Sequence, residues 1–478
     1  MTMKYTVRVI ITTDDGQPET REIACVERED LTPTTLGLTL AEGKAILKGL
    51  QEVVVQQQLT AYLETQRPCA HCGHRQRSKG SHTMQVRTVF GTISVKSPRL
   101  YQCPCQPHST ETYSPLAVLL PEHLTPELLF LETKWAALVS YGITAQLLKD
   151  VLPIDDVLAP CTIREHVFTV AERLEQALGE EQWSFIDSCP AEWSRLPIPN
   201  GPLTVGLDGG YVRAQGTRGW FEVIAGKSLL AFTRGEESET PVSSKCFAFV
   251  QTYDQKPKRR LYEVLQSQGH QLNQQITFLS DGGDTVRELQ LYLNPHAEHL
   301  LDWFHVTMRL TVLQQTAKGL PEMTRDEEVD YPLRAPVLRE LERLKWYVWH
   351  GNVYKVLQVV QFVEMDLDAA VAASGHATAR KLLKAVEEFH TYIENNAGFI
   401  PNYGERYRAG ERISTGFVES TVNQVISKRF CKKQQMAWTP RGAHLLLQNR
   451  TRVLNGDWEA TFREWYPGFR AAPQPMAA

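Results

Sequence analysis

Four cysteines are the residues whose type and spacing most directly indicate a chemical role. They form a C-x2-C pair and, about thirty residues later, a C-x-C pair: Cys69, Cys72, Cys103 and Cys105. The residues between the pairs alternate apolar and polar, which predicts a β-hairpin that brings the pairs together. Four thiolates arranged in this way fit a zinc ribbon, and an ion with four protein ligands has no open position, so the zinc would be structural.

Two alternatives to this zinc site stay open. The C-x-C pair is less specific than a second C-x2-C pair, so the four residues could be free thiols. A histidine could also replace one ligand, and the candidates are His71, His74 and His108.

Two aspartates stand beside paired glycines in strand-like segments. Asp208 lies in PLTVGLDGGYVRA, and Asp281 ends ITFLSDGG. Two further strands, WFEVIAGKSLLAF and KCFAFVQTY, and a helix, RRLYEVLQSQ, separate them, whereas a helix, TVRELQLYL, and a strand, AEHLLDW, follow. The predicted order β-β-β-α-β-α-β places one acid on the first strand and one on the fourth, so the acids converge if those strands are neighbours. Alone, an aspartate next to glycines is most often a turn residue.

A single acid also stands out near the end of the chain, in TGFVESTVNQVISKRFCKK. Val418, Val422, Val425 and Ile426 are spaced as one face of a helix that packs on a core. Glu419 begins this helix, although residues 403–452 contain ten Lys and Arg against three acids. A glutamate in the first turn is also favoured by the helix dipole, so its position alone does not indicate function.

A helix-turn-helix is predicted between the four cysteines and the strand that carries Asp208. PELLFLETKWAALVSYG and TAQLLKDVLP read as two helices with a turn at Gly142, and CTIREHVFTVAERLEQAL reads as a third that opens at Thr162. Early positions of a third helix would meet bases or phosphates, and here they are Thr162, Arg164, Glu165 and His166. A three-helix unit without DNA is an equal alternative.

The first 66 residues predict a β-hairpin and a long helix. KYTVRVIITTDDGQPETREIACVER alternates apolar and polar residues around a DDG turn, and LAEGKAILKGLQEVVVQQQLTAYLETQ has helical spacing. The apolar stripe of this helix could pack inside the chain or against a second copy, and it consists of Ile46, Leu50, Val53, Val54 and Leu59.

Bulk composition describes an ordinary globular protein. The chain has 478 residues, 42% of them hydrophobic and 22% charged, and a net charge of −4, so a case for nucleic-acid binding must rest on local patches. No secretion signal and no apolar run of about 18 residues occurs, which predicts a cytoplasmic protein with reduced thiols and no membrane partner.

The order of these features resembles insertion-sequence DDE transposases of the Kra type, which are related to the ISL-type and Mutator-like groups. The resemblance rests on the cysteine pairs, SDGG, LDWFH, GFVES and KRF, and it extends from Cys69 to Trp458. It implies an α/β chain in which a ribonuclease-H-like catalytic domain with an all-α insertion follows a zinc ribbon and a helix-turn-helix region. It also implies a bacterial, nucleoid-associated DNA transposase that binds terminal inverted repeats, cleaves them and joins them to target DNA as a homodimer.

The resemblance assigns roles to individual residues. Asp208, Asp281 and Glu419 would hold two Mg2+ or Mn2+ ions for phosphoryl transfer, because hard cations prefer oxygen ligands. Asp302 and His305, in the D-x-x-H spacing of LDWFH, would be accessory catalytic residues. A strand-end helix cap and a packed histidine are the alternative for this pair. The glycines after the two aspartates would let DNA or metal-bound water approach closely.

Basic residues complete the expected DNA interface. They occur in KPKRR and after Glu419, and the candidates for phosphate contacts are Lys256, Lys258, Arg259, Arg260, Lys428, Arg429, Lys432 and Lys433. Phe430 and Trp438 could stack on a base, although packing is the stronger expectation for both. Without a DNA partner, a run of charged residues is usually just an exposed, hydrated face of the protein.

The predicted organisation has six segments. They are a hairpin and helix (1–66), the four-cysteine ribbon (67–112), the helix-turn-helix region (120–185), the first part of the catalytic domain (200–317), the helical insertion (318–402) and the last part with Glu419 (403–460). Two rival functions share these features. A ribonuclease-H-type nuclease would cut without strand transfer, and a zinc-dependent DNA-binding protein would lack catalysis.

Overall fold

The computed structural model describes most of the chain. The described residues are 2–12, 17–105, 111–154, 158–185, 190–193, 195–197, 199, 201–216, 218–230, 244–283, 297–326, 329–432 and 436–470. The predicted DDG turn, the predicted helix TVRELQLYL, His108 and Lys433 lie outside them. The chain forms two compact units, one of Met1–Ala171 with Gly456–Ala478 and one of Glu172–Asn455. Among the described residues, every helix is too short or too polar to cross a membrane.

The first unit begins with the predicted hairpin and long helix. Its strands and first helices are β1 (Met3–Ile11), β2 (Glu19–Arg28), α1 (Leu40–Gln66), β3 (Ser78–Thr88), β4 (Gly91–Tyr101), β5 (Thr112–Tyr113) and α2 (Pro115–Leu119). Thr39 starts α1 because its hydroxyl accepts from the N–H of Glu42, whose carboxylate in turn accepts from the N–H of Thr39. Val55 and Leu59 of α1 pack with Met84 and Val86 of β3. Part of the predicted stripe of α1 therefore packs inside this unit.

Three longer helices follow in the same unit: α3 (Pro126–Leu138), α4 (Tyr141–Val151) and α5 (Pro160–Ala177), the last of which runs on into the second unit. The predicted turn at Gly142 is wrong, because α4 begins at Tyr141, capped by the Ser140 hydroxyl, and Gly142 lies in its first turn. The third helix opens at Pro160, two residues before the predicted Thr162, because proline suits a first helical position. A last helix, α15, spans Trp458–Trp465.

A mixed five-stranded sheet organises the second unit. After a short helix, α6 (Pro190–Trp193), its elements are β6 (Leu203–Arg213), β7 (Trp220–Leu230), β8 (Ser244–Val250), α7 (Pro257–Ser267), β9 (Ile276–Ser280) and β10 (Glu298–Leu301). The strand order is β10-β9-β6-β7-β8. The pairs β6–β7 and β7–β8 are antiparallel, whereas β6–β9 and β9–β10 are parallel. The predicted α/β class and the predicted order of the described elements are confirmed.

Helices make up most of the remaining chain. They are α8 (Trp303–Ala317), α9 (Arg334–Trp349), α10 (Val353–Ser374), α11 (Ala377–Asn395), α12 (Tyr403–Arg408), α13 (Gly416–Val422) and α14 (Pro440–Leu454), with a short 3-10 turn at Ala397–Phe399. The helices α8 to α11 share one apolar core with Tyr403, so the predicted helices of the insertion are confirmed. A small hairpin in this region, β11 (Met323–Asp326) with β12 (Val329–Pro332), was not predicted.

The helix that carries Glu419 changes its geometry after two turns. Beyond α13 the chain continues as a π-helix over Asn423–Cys431. Val418, Val425 and Ile426 are almost fully buried, as the apolar spacing predicts. The wider turn of a π-helix shifts later side chains around the axis, so positions after Asn423 do not follow the spacing of an ordinary helix.

His270 provides the first testable prediction. It is 7% exposed, neither ring nitrogen has a hydrogen-bond partner among the described residues, and burial lowers its pKa from 6.5 to about 4. The unfolded chain therefore binds more protons than the folded chain between these pH values, so stability falls as pH falls through this window. Between pH 6.5 and 5 the expected loss is about 2 kcal/mol of unfolding free energy.

The variant His270→Leu should remove this pH dependence, because leucine keeps an apolar side chain of similar size in the site. The measurement is denaturant unfolding of both proteins from pH 7 to 5. His82→Gln is the control, since His82 is exposed on β3. Equal slopes for wild type and His270→Leu would show that His270 is not the titrating group.

Candidate functional site

The two predicted aspartates lie side by side at one end of the central parallel strands. β6 pairs with β9 from Leu203 opposite Ile276 to Gly206 opposite Leu279, an offset of 73 positions in both pairs. The same offset relates Asp208 to Asp281, which directly follows the end of β9. Their charges interact, because the carboxylate of Asp281 raises the pKa of Asp208. The predicted convergence of these two acids is confirmed.

Glu419 reaches the same place from the helix that packs on the sheet. A Cβ atom at Gly206 would lie 2.1 Å from Val418, and one at Gly210 would lie 2.9 Å from Ile426. α13 and the π-helix therefore rest on the sheet face between these glycines, which is the face of Asp208. Glu419 is exposed, and its charge contributes to the raised pKa of Asp208. The three predicted acids thus form one electrostatic group.

Burial is the main reason why the pKa of Asp208 is raised above its ordinary value. His305 and the N–H of Gly209, which donates to Asp208 Oδ1 at 2.8 Å, lower this pKa but do not cancel the effect. The charges of Asp281 and Glu419 raise it further. Three acids and partial burial make a site that favours added positive charge.

The three acids are too far apart to share one ion. Among the described residues, they are not one of the groups whose ligand atoms all lie within 4.8 Å of one another. A site with two ions about 4 Å apart does not need such closeness, because only the bridging residue contacts both ions. Asp208 interacts electrostatically with Asp281 and Glu419, and carboxylate oxygens are ligands that hard divalent cations prefer.

Asp302 is a helix cap at the end of a strand, which is the alternative that the sequence left open for it. It is fully buried and caps α8, and Oδ1 accepts from the N–H of Phe304 at 3.0 Å and from the N–H of Thr415 at 2.9 Å. Oδ2 accepts from the Thr415 hydroxyl and contacts His305 Nδ1 at 2.7 Å. Its carboxylate oxygens are occupied by protein groups, so any accessory role of Asp302 in catalysis would act through His305, and that role stays a prediction. It positions His305 and the residue that precedes α13.

His305 contacts the Asp302 carboxylate and also interacts electrostatically with Asp208 and Asp281. The hydrogen bond with Asp302 raises the pKa of His305, burial lowers it, and the charges of Asp302, Asp208 and Asp281 raise it. One ring nitrogen is held by Asp302, so the imidazole has a fixed orientation. The charge of His305 is therefore coupled to those of Asp208 and Asp281, and its accessory role in catalysis stays a prediction.

The segment after β9 is held by α11. The Tyr392 hydroxyl donates to the backbone carbonyl of Asp281 at 3.1 Å, and the Arg309 guanidinium lies 4.1 Å from the Tyr392 ring centre. Gly282 has φ of 90°, and a Cβ atom there would lie 2.3 Å from Asn396 Oδ1. Tyr392 and Asn396 come from the helical insertion, so this insertion positions Asp281.

Tyr392→Phe tests this contact. Loss of the hydroxyl removes the hydrogen bond to the Asp281 carbonyl and frees the loop, so we expect Mn2+ to bind about five- to tenfold more weakly. Calorimetric titration with Mn2+ measures the change. Tyr354→Phe is the matched control, because Tyr354 is an exposed tyrosine of α10. Unchanged Mn2+ affinity in Tyr392→Phe would remove Tyr392 from the site.

The glycines near the two aspartates accommodate protein atoms. Gly282 faces Asn396 and Gly210 faces Ile426, and a Cβ atom at Gly209 would lie 2.6 Å from Glu222 Oε1. Space for DNA or metal-bound water is therefore the wrong explanation for these three. Glu222 is a neighbouring acid that the sequence analysis missed, and burial followed by the charge of Asp281 raises its pKa. It lies on the opposite sheet face from Asp208, because adjacent strand residues alternate.

The four cysteines of the first unit meet in one cluster. Their sulfur atoms all lie within 4.8 Å, with 3.6 Å between Cys69 and Cys105 and 3.4 Å between Cys72 and Cys103. Tetrahedral zinc with bonds of about 2.3 Å needs sulfurs about 3.8 Å apart. The cluster could therefore hold a metal ion such as zinc.

Thiol chemistry supports a cation at this cluster. The backbone N–H groups of Cys72 and His71 lower the pKa of Cys69 to about 6. Hydrogen bonds with Cys103 and the other two sulfurs raise the pKa of Cys105 to about 12. Four adjacent thiols cannot all ionise unless a positive ion compensates their charge.

A second group of possible ligands is already occupied by an arginine. Glu175, Asp254 and His444 lie within 4.8 Å of one another. Arg260 reaches into this group, with 2.9 Å from Nη1 to Glu175 Oε1 and 3.0 Å from Nε to Asp254 Oδ2. Arg260 is 6% exposed, so its predicted phosphate contact is contradicted.

The other basic residues of KPKRR also contact the protein itself, within the second unit. Lys256 Nζ donates to the Gly179 carbonyl at 2.7 Å, and Arg259 Nε donates to the Leu178 carbonyl at 2.6 Å. Lys258 is half-buried. This run anchors the start of α7 to the chain after α5, so a phosphate contact by Lys256 or Arg259 would compete with these contacts inside the protein.

The described basic residues after Glu419 fall into two groups, one exposed and one buried. Lys428 and Lys432 are exposed, and Lys432 Nζ donates to Asn423 Oδ1 at 2.8 Å. Arg429 is fully buried with its guanidinium 5.2 Å from the Trp438 ring centre, so the structure contradicts a phosphate contact there. Phe430 and Trp438 are buried with their rings 4.8 Å apart, so packing is confirmed for both.

The residues of α5 that were predicted to contact DNA differ in how exposed they are. Arg164 and Glu165 are exposed and form an ion pair of 2.8 Å, and Thr162 is half-buried. His166 is 7% exposed and contacts the buried Glu132 through Nδ1, so a DNA contact by His166 is contradicted. Thr162 and Arg164 remain candidates.

Comparisons with known proteins do not extend these findings. No protein-family model matches the chain, and no curated protein matches it. A function for this chain must therefore be derived from the residues described above.

Proposed function

We propose that this protein is a DDE-type DNA transposase that binds terminal inverted repeats and catalyses metal-dependent cleavage and strand transfer. One observation carries the proposal. Asp208 and Asp281 lie side by side on neighbouring parallel strands, and Glu419 joins them from a helix packed on the same sheet face. Carboxylates in this arrangement suit divalent cations and phosphoryl transfer.

The topology of the second unit supports a ribonuclease-H-like catalytic domain. Three antiparallel strands are followed by two parallel ones in the order β10-β9-β6-β7-β8, and the acids occur on the first and after the fourth in sequence. A helical segment separates them from the helix that carries Glu419. This is the arrangement that the resemblance to insertion-sequence transposases of the Kra type implies.

Asp208, Asp281 and Glu419 would hold two Mg2+ or Mn2+ ions. The ions would activate the attacking oxygen and stabilise the leaving oxygen. Asp302 orients His305, and the imidazole can hold a proton close to the acids. Tyr392 keeps the backbone of Asp281 in place.

The proposal gives the other regions a supporting role. Zinc bound by the four cysteines would stabilise the ribbon, and half-buried Thr162 and exposed Arg164 would contact the terminal repeats. Exposed Lys428 and Lys432 would neutralise phosphates near the acids. A homodimer in the bacterial cytoplasm would process both ends of an element together.

The test uses the DNA that flanks the gene. Labelled flanking fragments are incubated with the protein and Mg2+, and cleavage at paired inverted repeats with joining of 3' ends to a target plasmid supports the proposal. Cleavage without joined products would instead indicate a nuclease. Binding without cleavage in Mg2+ or Mn2+ would indicate a non-catalytic DNA-binding protein.

A further inference from the structure

The segment that carries the four cysteines contains basic residues and no acidic ones. Residues 65–110 include seven Lys and Arg and no Asp or Glu, although the whole chain has a net charge of −4. An ordinary protein surface mixes both signs of charge. A long segment with only one sign of charge therefore indicates a partner of the opposite sign.

Four of the seven cations are exposed and free of ion pairs with described carboxylates. Arg67 and Arg75 share the carboxylate of Glu64, at 3.3 and 3.5 Å, and Arg87 is half-buried. In the part of the chain that the structure describes, the ion pairs of this segment involve only Arg67 and Arg75. The other four cations, which we call the basic cluster, are exposed: Arg77, Lys79, Lys96 and Arg99.

Strand register places the basic cluster at the cysteine end of the hairpin β3–β4. Its two members on β4, Lys96 and Arg99, are paired with Thr83 and Gly80 of β3. Its other two members lie within about six positions of Thr83, so the cluster extends over roughly 20 Å of the hairpin. Duplex DNA carries one negative charge per ~1.7 Å of its axis, so this length can face several phosphates.

The cations leave the hairpin on both of its faces. Lys96 and Arg99 are three positions apart on β4, and successive side chains of a strand point to opposite faces. Among the described residues, β5 pairs with β4 only at Leu100 and Tyr101, so the hairpin is a two-stranded ribbon at Lys96. Such a ribbon fits the major groove of duplex DNA, where a phosphate strand runs along each side. A single strand would meet only one of the two faces.

The neighbouring residues favour phosphate contacts over other interactions. Among the described residues of this segment, Tyr101 is the one exposed large hydrophobic side chain, whereas a membrane surface binds apolar side chains together with charge. Gln85 and Ser94, which are exposed on the same hairpin, hydrogen-bond to each other at 2.8 and 3.0 Å. These polar groups are therefore engaged within the protein, and the cations supply the contacts to a partner.

We propose that the basic cluster binds the phosphate backbone of duplex DNA, whatever its base sequence. The cysteine end of the hairpin lies in a groove, and the cations on its two faces contact phosphates of both strands. Phosphate contacts position a protein on DNA without reading its bases. This surface is separate from Thr162 and Arg164, and it rests on the proposed function only for DNA as the partner.

The test measures binding of the full-length protein to two labelled duplexes of unrelated sequence by fluorescence anisotropy. Lys96→Gln with Arg99→Gln should weaken binding to both duplexes on the order of tenfold or more at about 0.1 M salt. The slope of log K against log salt should fall by about two, because two phosphate contacts are lost. Lys96→Arg with Arg99→Lys keeps both charges and should bind like the wild type.

A matched control removes the same charges elsewhere in the first unit. Lys4 and Arg8 are exposed on β1 and are paired with Glu27 and Glu22, at 3.0 and 3.6 Å. Lys4→Gln with Arg8→Gln should therefore leave the DNA affinity unchanged. Thermal unfolding shows that each variant is folded.

A second double variant covers the other strand of the hairpin. Arg77→Gln with Lys79→Gln should weaken binding to the same extent as the β4 variant, and it decides the question if that variant does not fold. Both residues are exposed, so the substitutions do not disturb a core.

Binding is measured separately from cleavage, so this inference and the proposed function fail independently. The inference would be overturned if the wild type bound neither duplex, if the glutamine variants bound like the wild type, or if the loss occurred on only one sequence. Tighter binding to double-stranded RNA or to anionic lipid vesicles than to duplex DNA would also overturn it. Weakened binding in the variants without cleavage by the wild type would support the cluster and contradict the proposed catalysis.

Discussion

Asp208→Asn should abolish Mg2+-dependent DNA cleavage, with a loss on the order of a thousandfold or more, and leave the protein folded. Asn keeps the shape of the side chain and an oxygen that can accept from the N–H of Gly209. It removes the charge that interacts with Asp281 and Glu419. Because burial already raises the pKa of Asp208, a neutral side chain should not lower the unfolding temperature. Rates on labelled repeat DNA and thermal unfolding measure both effects.

A neighbouring acid supplies the control for this experiment. Glu222 is half-buried and its pKa responds to Asp281, but it lies on the opposite sheet face. Glu222→Gln should retain cleavage, whereas Asp281→Asn and Glu419→Gln should lose it as Asp208→Asn does. Equal losses at Glu222 and Asp208 would mean that general negative charge is responsible, and the three-acid assignment would fail.

The convergence of Asp208 and Asp281 could be predicted because it depends on the order of the strands in the sheet and on the two-residue repeat with which side chains alternate along a strand. Alternating residues define the strands, and the neighbouring positions of the first and fourth strands then bring the acids together. The buried stripe of Val418 and Ile426 likewise places the helix of Glu419 on the sheet. Local patterns were sufficient for the strands and the helix, because each pattern reports burial directly, whereas the neighbouring positions of the two strands were expected only from the resemblance.

The residues that support the acids could not be predicted in this way. Tyr392 lies 111 positions from Asp281, and its hydroxyl contacts a backbone carbonyl, which leaves no trace in the pattern of side chains. Thr415 meets Asp302 across 113 positions. Such contacts follow from how the helical insertion packs, and a tyrosine or threonine on a helix or turn looks the same in sequence whatever it contacts.

Charge runs were the weakest guide, for a physical reason. Arg260 and Arg429 both lie in basic runs, and Arg429 directly follows the exposed Lys428, yet both arginines are buried. Arg260 is compensated by Asp254 and Glu175, the second of which lies 85 positions away. Arginine tolerates such burial because its planar group can satisfy several acceptors, so a basic run alone cannot separate a phosphate contact from an internal ion pair.

Replacement of Cys69 and Cys72 by serine should remove the metal ion and unfold the tip of the ribbon. The first six residues of β3 are all exposed, and the apolar core of this region begins only at Met84 and Val86. The cysteine end of the hairpin thus has little core of its own. A structural zinc ion supplies about 10–16 kcal/mol to such a domain. Metal content should fall from about one zinc per chain to none.

Hydrogen exchange locates the effect. Amides of β3 and β4 near the cysteines should lose protection in the double variant, whereas those of β6 and β9 in the second unit should keep it, because their packing does not involve the cluster. Cys161→Ser and Cys431→Ser are the controls, since neither residue belongs to the cluster. Unchanged zinc content in the double variant would eliminate the four-cysteine site and leave four free thiols.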